Sequence, residues 1–585
     1  MKRQFQPARL AGYLQVLVVG GFLAVFLLAP LTLTLTTGFR VDGHGAFTLA
    51  NFVQIFSDPG LRAGLLNSGA IALATTLLCT LLAMPLALLT VRYEFPFKKW
   101  FSAFVLIPLI LPPFVGAIGM RAVLGRMGAL NSLWGTEWDI LGNGRFWGVV
   151  IVEALHLYPV LYLNLGAALA NIEPAMEDAA RGLGATRWVR FRRITLPLAR
   201  PGLVAGMTIV LIWSFTELGT PLMFNYNEVT PVQIFARIKE IESSPIPYAL
   251  TTVMLVAAVA LYGVGRAVLG RAPTVSTTKA SVVALTRPLT GWRGGAAAAF
   301  CALVALVAML PHLGVVLASF TGVGSWYGSV LPQHWTLEHY GNALSHDLAM
   351  GSMINSLKYA LCATLLTTLL GLAVGWITVR SSLPGRKTLD ACAMLPLAVP
   401  GLVMAFGLVA LTLHAPFTWS TETAPAGLKW LAPIFSSFDV LGPAAHPFLL
   451  LVIAYTVRRL PYMVRATAAG LEQSSPAFEE AARNLGAGPL TTMRRITVPL
   501  IAANLIAGGL LVFAFSMLEV SDSLLLAQRE AHFPLTKAIY TFNERLGDGQ
   551  YIASAMGVWG MALLAVTLIS ASLLMGRRMG AMFRA

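Results

Sequence analysis

The chain has 585 residues, of which 57% are hydrophobic and only 11% charged, against about 25% charged in ordinary soluble domains. A mean hydropathy of +0.72 excludes a soluble globular enzyme and a disordered scaffold together, because the apolar residues come in runs of about 20, the span of a bilayer core. The formal net charge of +15 would suggest a nucleic-acid partner if it were not distributed along the chain as described below.

Twelve apolar runs follow one another, near 13–36, 67–91, 101–121, 146–170, 202–222 and 248–269, then 296–319, 355–379, 389–413, 447–470, 501–521 and 552–576. The expectation is an all-α polytopic membrane protein with twelve transmembrane helices. Lys2-Arg3 ahead of the first run mimics a signal peptide, but the run is too long and lacks a small-x-small cleavage site, so it reads as a retained helix. Cys79, Cys301, Cys362 and Cys392 all fall inside apolar runs without metal-ligand spacing. They read as small core hydrophobes, and no metal site is expected.

Charge orients the spans. With a cytoplasmic N-terminus, the cytoplasmic segments hold 29 of the 41 Lys and Arg and 8 of the 26 Asp and Glu, which is +21 on that side and −6 elsewhere. This is the positive-inside asymmetry. The six basic residues of 458–495 are counted on the cytoplasmic side. The basic excess therefore orients the protein in the lipid bilayer and implies no nucleic acid; both termini are cytoplasmic, as an even number of spans requires.

The two halves repeat one another. Phe47-Thr48-Leu49 matches Trp335-Thr336-Leu337, Asn67-Ser68 matches Asn355-Ser356, and Pro108 and Pro112 match Pro396 and Pro400, all at an offset of 288. Further on the offset becomes 302, and the 14 extra residues are expected in the external loop 414–446. Six spans per half make the repeats parallel, related by an axis along the membrane normal. The expected organisation is a first six-helix repeat over 1–269, a cytoplasmic linker over 270–294, and a second six-helix repeat over 295–585.

The best-matched stretch is a cytoplasmic loop after the fourth span of each half. The first reads Glu177-Asp178-Ala179-Ala180-Arg181-Gly182-Leu183-Gly184, then Ile194-Thr195-Leu196-Pro197; the second reads Glu479-Glu480-Ala481-Ala482-Arg483-Asn484-Leu485-Gly486, then Ile496-Thr497-Val498-Pro499. Each predicts a short helix, with Pro174 or Pro476 at its first position. Its acidic pair sits near the positive end of the dipole, and Gly184 or Gly486 forms a left-handed C-terminal cap. The paired alanines leave a low surface on which another protein can pack.

These loops resemble the EAA loop of inner-membrane permeases from binding-protein-dependent ABC importers: Glu-Ala-Ala, three residues, Gly, nine residues, then Ile-x-Leu-Pro. Asp178 replaces the Glu in the first copy and Val498 the Leu in the second. The resemblance covers both halves. It implies that Glu177, Asp178, Ala179, Ala180, Gly184, Ile194 and Pro197, with Glu479, Glu480, Ala481, Ala482, Gly486, Ile496 and Pro499, couple the chain to two ATPase subunits. It also implies a periplasmic solute-binding protein as partner and a bacterial inner membrane as location. No Gly-x-x-x-x-Gly-Lys-Ser/Thr occurs, so the chain forms no phosphate-cradling loop. It is expected to be a permease rather than an enzyme, with no cofactor of its own and ATP used by its partners. The rival, a twelve-helix secondary transporter, lacks its signature in Arg92-Tyr93-Glu94-Phe95-Pro96 and in Arg380-Ser381-Ser382-Leu383-Pro384.

Ionisable groups inside a span are costly, by roughly 2.5–3.5 kcal/mol at the centre for the strongly charged ones. Glu217 and Glu519 recur at offset 302 near the outer ends of spans five and eleven and are the candidate translocation-path residues, a pair that would favour a cation. Glu153, His156 and Lys358 have no like partner in the other half. The fused two-repeat layout and Glu217-Leu218-Gly219-Thr220 are similar to the ferric-iron uptake group, although Leu518-Glu519-Val520-Ser521 departs from that group's Lys-Glu-Leu-Pro. The resemblance implies ferric iron as cargo, with thiamine or 2-aminoethylphosphonate as the alternatives.

Overall fold

The computed structural model describes residues 7–41, 45–109, 112–142, 145–269, 286–420, 422–442 and 445–575. The expected linker therefore falls mostly outside the described residues. Among those described, helix dominates, and the only named strands are Tyr93–Glu94 and Arg287–Pro288, paired in parallel.

Eight described helices are long and apolar enough to cross a bilayer, and eleven if three bent pairs each count as one span. The remaining expected run forms the helix Phe448–Gln473 of 26 residues, about 39 Å at 1.5 Å per residue. Its Arg458, Arg459 and Arg465 keep it out of the apolar set. Two of these arginines change the charge map. Arg458 and Arg459 sit in the middle of the helix, both bonded to Glu519, and not at the cytoplasmic end where the sequence count put them.

Spans three and nine, expected as continuous runs, are broken. Lys98–Leu109 turns by 102° into Pro113–Trp134, and Arg386–Leu397 turns by 107° into Gly401–Thr412. The matched prolines are the cause. Pro112 (φ −56°, ψ 138°) and Pro400 (φ −58°, ψ 140°) hold the same extended conformation just before each new helix, and a proline can neither donate to the preceding turn nor fit inside it. Spans five and eleven also stop earlier than expected, at Phe215 and Met517. After each, a short helix, Gly219–Met223 or Ser521–Leu526, runs through the interior. Span eleven carries a third bend, of 77°, at Ile501.

The packing is that of a membrane protein. Leu66, Leu73, Leu77 and Leu81 on one helix, and Leu361, Leu365 and Leu369 on its counterpart, are 59–71% exposed, a leucine-rich outer face suited to lipid. Cys362 shares this exposed face and Cys392 is half-buried, whereas Cys79 and Cys301 are core residues as expected. Inside, small residues let backbones approach. A Cβ at Gly119 would lie 2.5 Å from the Pro311 carbonyl oxygen, and one at Gly407 would lie 3.0 Å from that of Pro30. These contacts are equivalent, and they show that the first span of each half packs on the broken third span of the other. The halves are thus interlocked rather than side by side. The 14-residue difference falls where expected, between Thr412 and Phe448.

Candidate functional site

The two matched loops close alike. The helix Pro174–Gly182 ends with Gly184 at φ 78°, where the amide of Gly184 donates to the Arg181 carbonyl (2.9 Å) and that of Ala185 to the Ala180 carbonyl (3.0 Å). The helix Ala477–Asn484 ends with Gly486 at φ 83°, and the amides of Gly486 and Ala487 donate to Arg483 and Ala482, both at 3.0 Å. Each is the paired closure that satisfies orphan carbonyls at a helix end, and glycine takes the left-handed position without a Cβ penalty. Pro174 is the first helical residue as expected, whereas Pro476 lies one residue before its helix. Five-residue π-turns, Phe191–Thr195 and Met493–Thr497, then carry Ile194 and Ile496 toward Pro197 and Pro499.

The acidic pairs split into two positions. Glu177 faces inward, paired with Arg92 and accepting from the Thr195 hydroxyl at 2.8 Å. Glu479 pairs with Arg380 at 3.3 Å, and the same arginine donates to the carbonyls of Leu471 and Ser474, both at 2.8 Å. Arg92 and Arg380 are the last residues of the second and eighth spans, so each ion pair ties a loop helix to the end of a span. The second acids face out. Asp178 and Glu480 are exposed with Ala179 and Ala481, while Ala180 and Ala482 are half-buried. Beside them Leu183 and Leu485 are each 89% exposed. Two exposed leucines at matched positions on otherwise polar loops form the kind of apolar surface on which a partner can pack. The first loop also carries a contact of its own: Asp178 is held by Arg287 at 2.7 Å, from the described end of the expected linker.

Glu217 and Glu519 meet where the halves join. A Cβ at Gly219 would lie 2.8 Å from Phe114 and 3.0 Å from Val520, the residue after Glu519. The two acids are in unlike settings, contrary to the matched pair expected from the repeat. Glu519 is 4% exposed and ion-paired with Arg458 at 2.7 Å and with Arg459, while Asp522 lies 3.7 Å from Arg458. Glu217 is half-buried and accepts only from its own turn, from the Thr220 amide at 3.3 Å. It lies within electrostatic reach of Glu153, Arg458 and Glu519. Glu153 is fully buried and accepts from the Ser214 hydroxyl. Glu519, Asp522 and Glu217 thus lie around the Arg458 and Arg459 guanidinium groups, with Glu153 behind Glu217. Among the described residues no three His, Cys, Asp or Glu side chains gather as a metal-binding group. Lys358 is exposed. His156 bonds the Pro108 carbonyl at 2.9 Å and lines a cavity of about 10 Å³ with Pro112 and His312 at the break in span three.

The sequence matches the profile of the family described as binding-protein-dependent transport system inner membrane component, twice, over residues 53–274 and 367–581. The chain belongs to this family. It is a two-repeat permease of an ABC importer, a transport subunit rather than an enzyme, and it resides in the membrane as a multi-pass protein. It is 26% identical over 563 residues to the ferric transport system permease protein FbpB of Actinobacillus pleuropneumoniae, covering 92% of this chain and 76% of that protein. It is 23% identical over 509 residues to the Fe(3+)-transport system permease protein FbpB 2 of Haemophilus influenzae, covering 86% and 88%. The molybdenum transport system permease protein ModB of Escherichia coli is 31% identical over 178 residues, 30% of this chain and 76% of that one. A crystal structure of a bacterial ABC transporter involved in the import of the acidic polysaccharide alginate aligns over 44% of this chain and 94% of that one, with a TM-score of 0.36 and 18% identity.

The permease holds three site residues that sequence reasoning did not single out: Arg458, Arg459 and Asp522. The signal was present. Pro159 and Pro461 align at offset 302, which sets Arg458 opposite His156 and Arg459 opposite Leu157, at span depth rather than in a loop.

Proposed function

We propose that this permease forms the solute path of an importer for ferric iron. Two ATPase subunits drive it, one at each of the surfaces built by 174–184 and 477–486, and a periplasmic solute-binding protein delivers the cargo to its outer face. The observation that carries the coupling role is the identical construction of two exposed hairpins, each with a left-handed glycine, an outward acid and a leucine in water. A connector needs none of these twice. The second acids, the alanines and the glycines provide the docking surface, while Glu177 and Glu479 act behind it, fixing each hairpin to a span end so that movement of the ATPase pair is transmitted to the spans. The sequence resemblance and the basic excess of the remaining loops support a cytoplasmic location for that face and for both termini.

The cargo assignment is supported by the ferric transport for which the two long relatives are named and by the charge of the central cluster. Glu153, Glu217, Glu519 and Asp522 outnumber Arg458 and Arg459, and a poorly screened excess of carboxylate attracts a cation. Thiamine and 2-aminoethylphosphonate carry cationic nitrogen and are the alternatives that the same cluster would accept. The test is uptake into proteoliposomes holding the permease, its ATPase and its binding protein. Ferric iron should accumulate only with ATP inside the ATPase compartment. Accumulation driven by an ion gradient without the ATPase would establish a secondary transporter, and ATP-driven uptake of an organic cation without ferric iron would replace the cargo.

A further inference from the structure

On the outer side of the first repeat, two arginines lack the partners that buried arginines ordinarily have. Arg121, on the outer arm of the broken third span, donates to the Met223 carbonyl at 3.1 Å. Arg145, just before the fourth span, donates to the next carbonyl, Phe224, at 2.6 Å. Both are half-buried, and neither has a carboxylate within ion-pairing distance among the described residues. The two guanidinium groups are close enough to repel one another. Each has five N–H donors, and only one of each is used in the bonds above.

Both line a cavity of about 1040 Å³, open mouth included, together with Arg126, Asp139, Phe224 and Asn225. Its one carboxylate, Asp139, lies 3.6 Å from the exposed Arg126, so the wall carries three positive charges against one negative. The backbone is strained at the same place. Among the described residues three non-glycine positions have positive φ, and two of them, Arg145 at 67° and Asn225 at 54°, line this cavity. Asparagine tolerates that region, whereas arginine rarely enters it, and such positions persist where surrounding structure enforces them, commonly at ligand sites.

The second repeat is an internal control. It builds the same contact between the outer arm Gly401–Thr412 and the short helix Ser521–Leu526, yet Val409 stands at the counterpart of Arg121 and Ala527 at that of Asn225. Pro447 takes the place of Arg145. The packing does not need the arginines, so their presence in the first repeat calls for a ligand.

We infer that this outer cavity is a binding site for one small oxyanion, phosphate-like or carboxylate-like, held between Arg121 and Arg145. Two guanidinium forks on one side of a cavity match the several acceptor oxygens of such an anion, and a lysine pair would not match them as well. Arg121 lies two helical turns, seven residues, beyond Phe114, which touches Gly219 beside the central acids. An anion held here would sit at the outer entrance, about 10 Å above the carboxylate cluster. It would lower the positive potential of the entrance toward a cationic cargo or receive an anionic ligand carried with it.

The experiment uses the full-length permease in nanodiscs of neutral lipid and radiolabelled inorganic phosphate in equilibrium dialysis at low ionic strength. One saturable site per chain is expected, competed by sulfate and weakened by salt. Arg121→Gln and Arg145→Gln should each weaken binding about tenfold or more, as loss of a charge-assisted pair predicts, while Arg126→Gln should change it less than about threefold because Asp139 already screens that group. A second measurement needs no variant: phosphate should protect Arg121 and Arg145, and not Arg126, from modification by phenylglyoxal, read by peptide mass spectrometry. Absence of saturable binding up to about 10 mM phosphate, or binding and protection indifferent to the two arginines, would overturn the inference. If phosphate fails to bind but Arg121→Gln and Arg145→Gln abolish docking of the solute-binding protein, the cavity receives an acidic side chain of that partner and the free-anion site is wrong.

Discussion

The ion pair between Arg380 and Glu479 is the sharpest point at which to test how the second loop is held. Its side chains are 12% and 8% exposed, so it does not behave as a surface pair worth less than about 1 kcal/mol. Arg380→Met leaves the Glu479 carboxylate without a counter-charge and removes the donor to the Leu471 and Ser474 carbonyls. Breaking one side of a buried pair costs about 3–5 kcal/mol. At about 1.4 kcal/mol per factor of ten, local opening of 474–487 should rise by about two to three and a half orders of magnitude. Hydrogen exchange of the permease in nanodiscs reads this directly, because opening of a segment is separable from global unfolding. The spans, apart from the ends at Arg380 and Leu471 that share these bonds, should exchange as before. Adding Glu479→Gln to Arg380→Met removes the orphan charge and should restore most of the loss. An exchange rate over 474–487 within threefold of the parent protein would show that the pair does not hold the loop, and the proposed transmission through span eight would fall with it.

The first-repeat pair, Arg92 with Glu177, is 25% and 16% exposed, so Arg92→Met should loosen 174–187 by a smaller factor, about ten to a hundred, in the same exchange measurement. A Cβ added at Gly184 or Gly486 meets no atoms within 4 Å, so Gly184→Leu and Gly486→Leu should act chiefly through positive φ, at about 1–2 kcal/mol. Reduced co-purification of the ATPase with normal membrane insertion is the expected result, and unchanged recovery with both replaced refutes the docking role. Glu217→Gln should lower ferric uptake more than Glu519→Gln relative to assembled complex, because Glu519 is already neutralised by Arg458 and Arg459; equal transport by both variants and the parent removes the carboxylates from the path. Lys537, on the outer helix Leu535–Glu544, is pushed down to about 8, first by burial. Its folded value lies below the unfolded one near 10.5, so the unfolded chain binds the extra proton between about pH 8 and pH 10.5 and stability rises with pH across that window. Hydrogen exchange of 535–544 should slow correspondingly over pH 8 to 10.5 after correction for intrinsic rates, and Lys537→Met should abolish the trend.

Much of this architecture was legible because it is set by local rules. The lengths of the apolar runs, the asymmetry of Lys and Arg, and the two offsets are properties of neighbouring residues, and so is the left-handed closure at Gly184 and Gly486. What could not be read was what depends on a partner distant in sequence. The prolines at 108, 112, 396 and 400 were visible, but whether a proline kinks a span or breaks it by about a right angle depends on what fills the break. Here the other half's first span packs against the new helix at Gly119 and Gly407. Glu177 and Asp178 are adjacent and alike in sequence, yet one points to Arg92 and the other to the surface. No periodicity over a nine-residue helix decides that without the position of the span end. The same holds for Arg458, which is a cytoplasmic anchor by charge counting and a central counter-ion by packing.

The two repeats also separate the requirements of the fold from those of the cargo. Where both copies keep a feature, the left-handed glycine, the anchoring glutamate, the π-turn and the proline break, the constraint acts on each half equally, as a common drive mechanism would. Where the backbone repeats and the side chains do not, that constraint is absent. Glu217 and Glu519 occupy the same turn, but one lies near Glu153 and the other is clasped by Arg458 and Arg459. A path built on the pseudo-twofold axis would present the cargo with the same charge from both sides if the mechanism alone determined it. Instead one repeat holds a carboxylate free of ion pairing and the other a carboxylate already paired, so on the proposed path a cation would be drawn toward the first repeat. The arginines at 121 and 145 lie in that same repeat, farther out. The half that departs from symmetry at the entrance is therefore also the half that departs from it at the centre, which is the arrangement expected if solute selection is concentrated in one repeat while both share the work of movement.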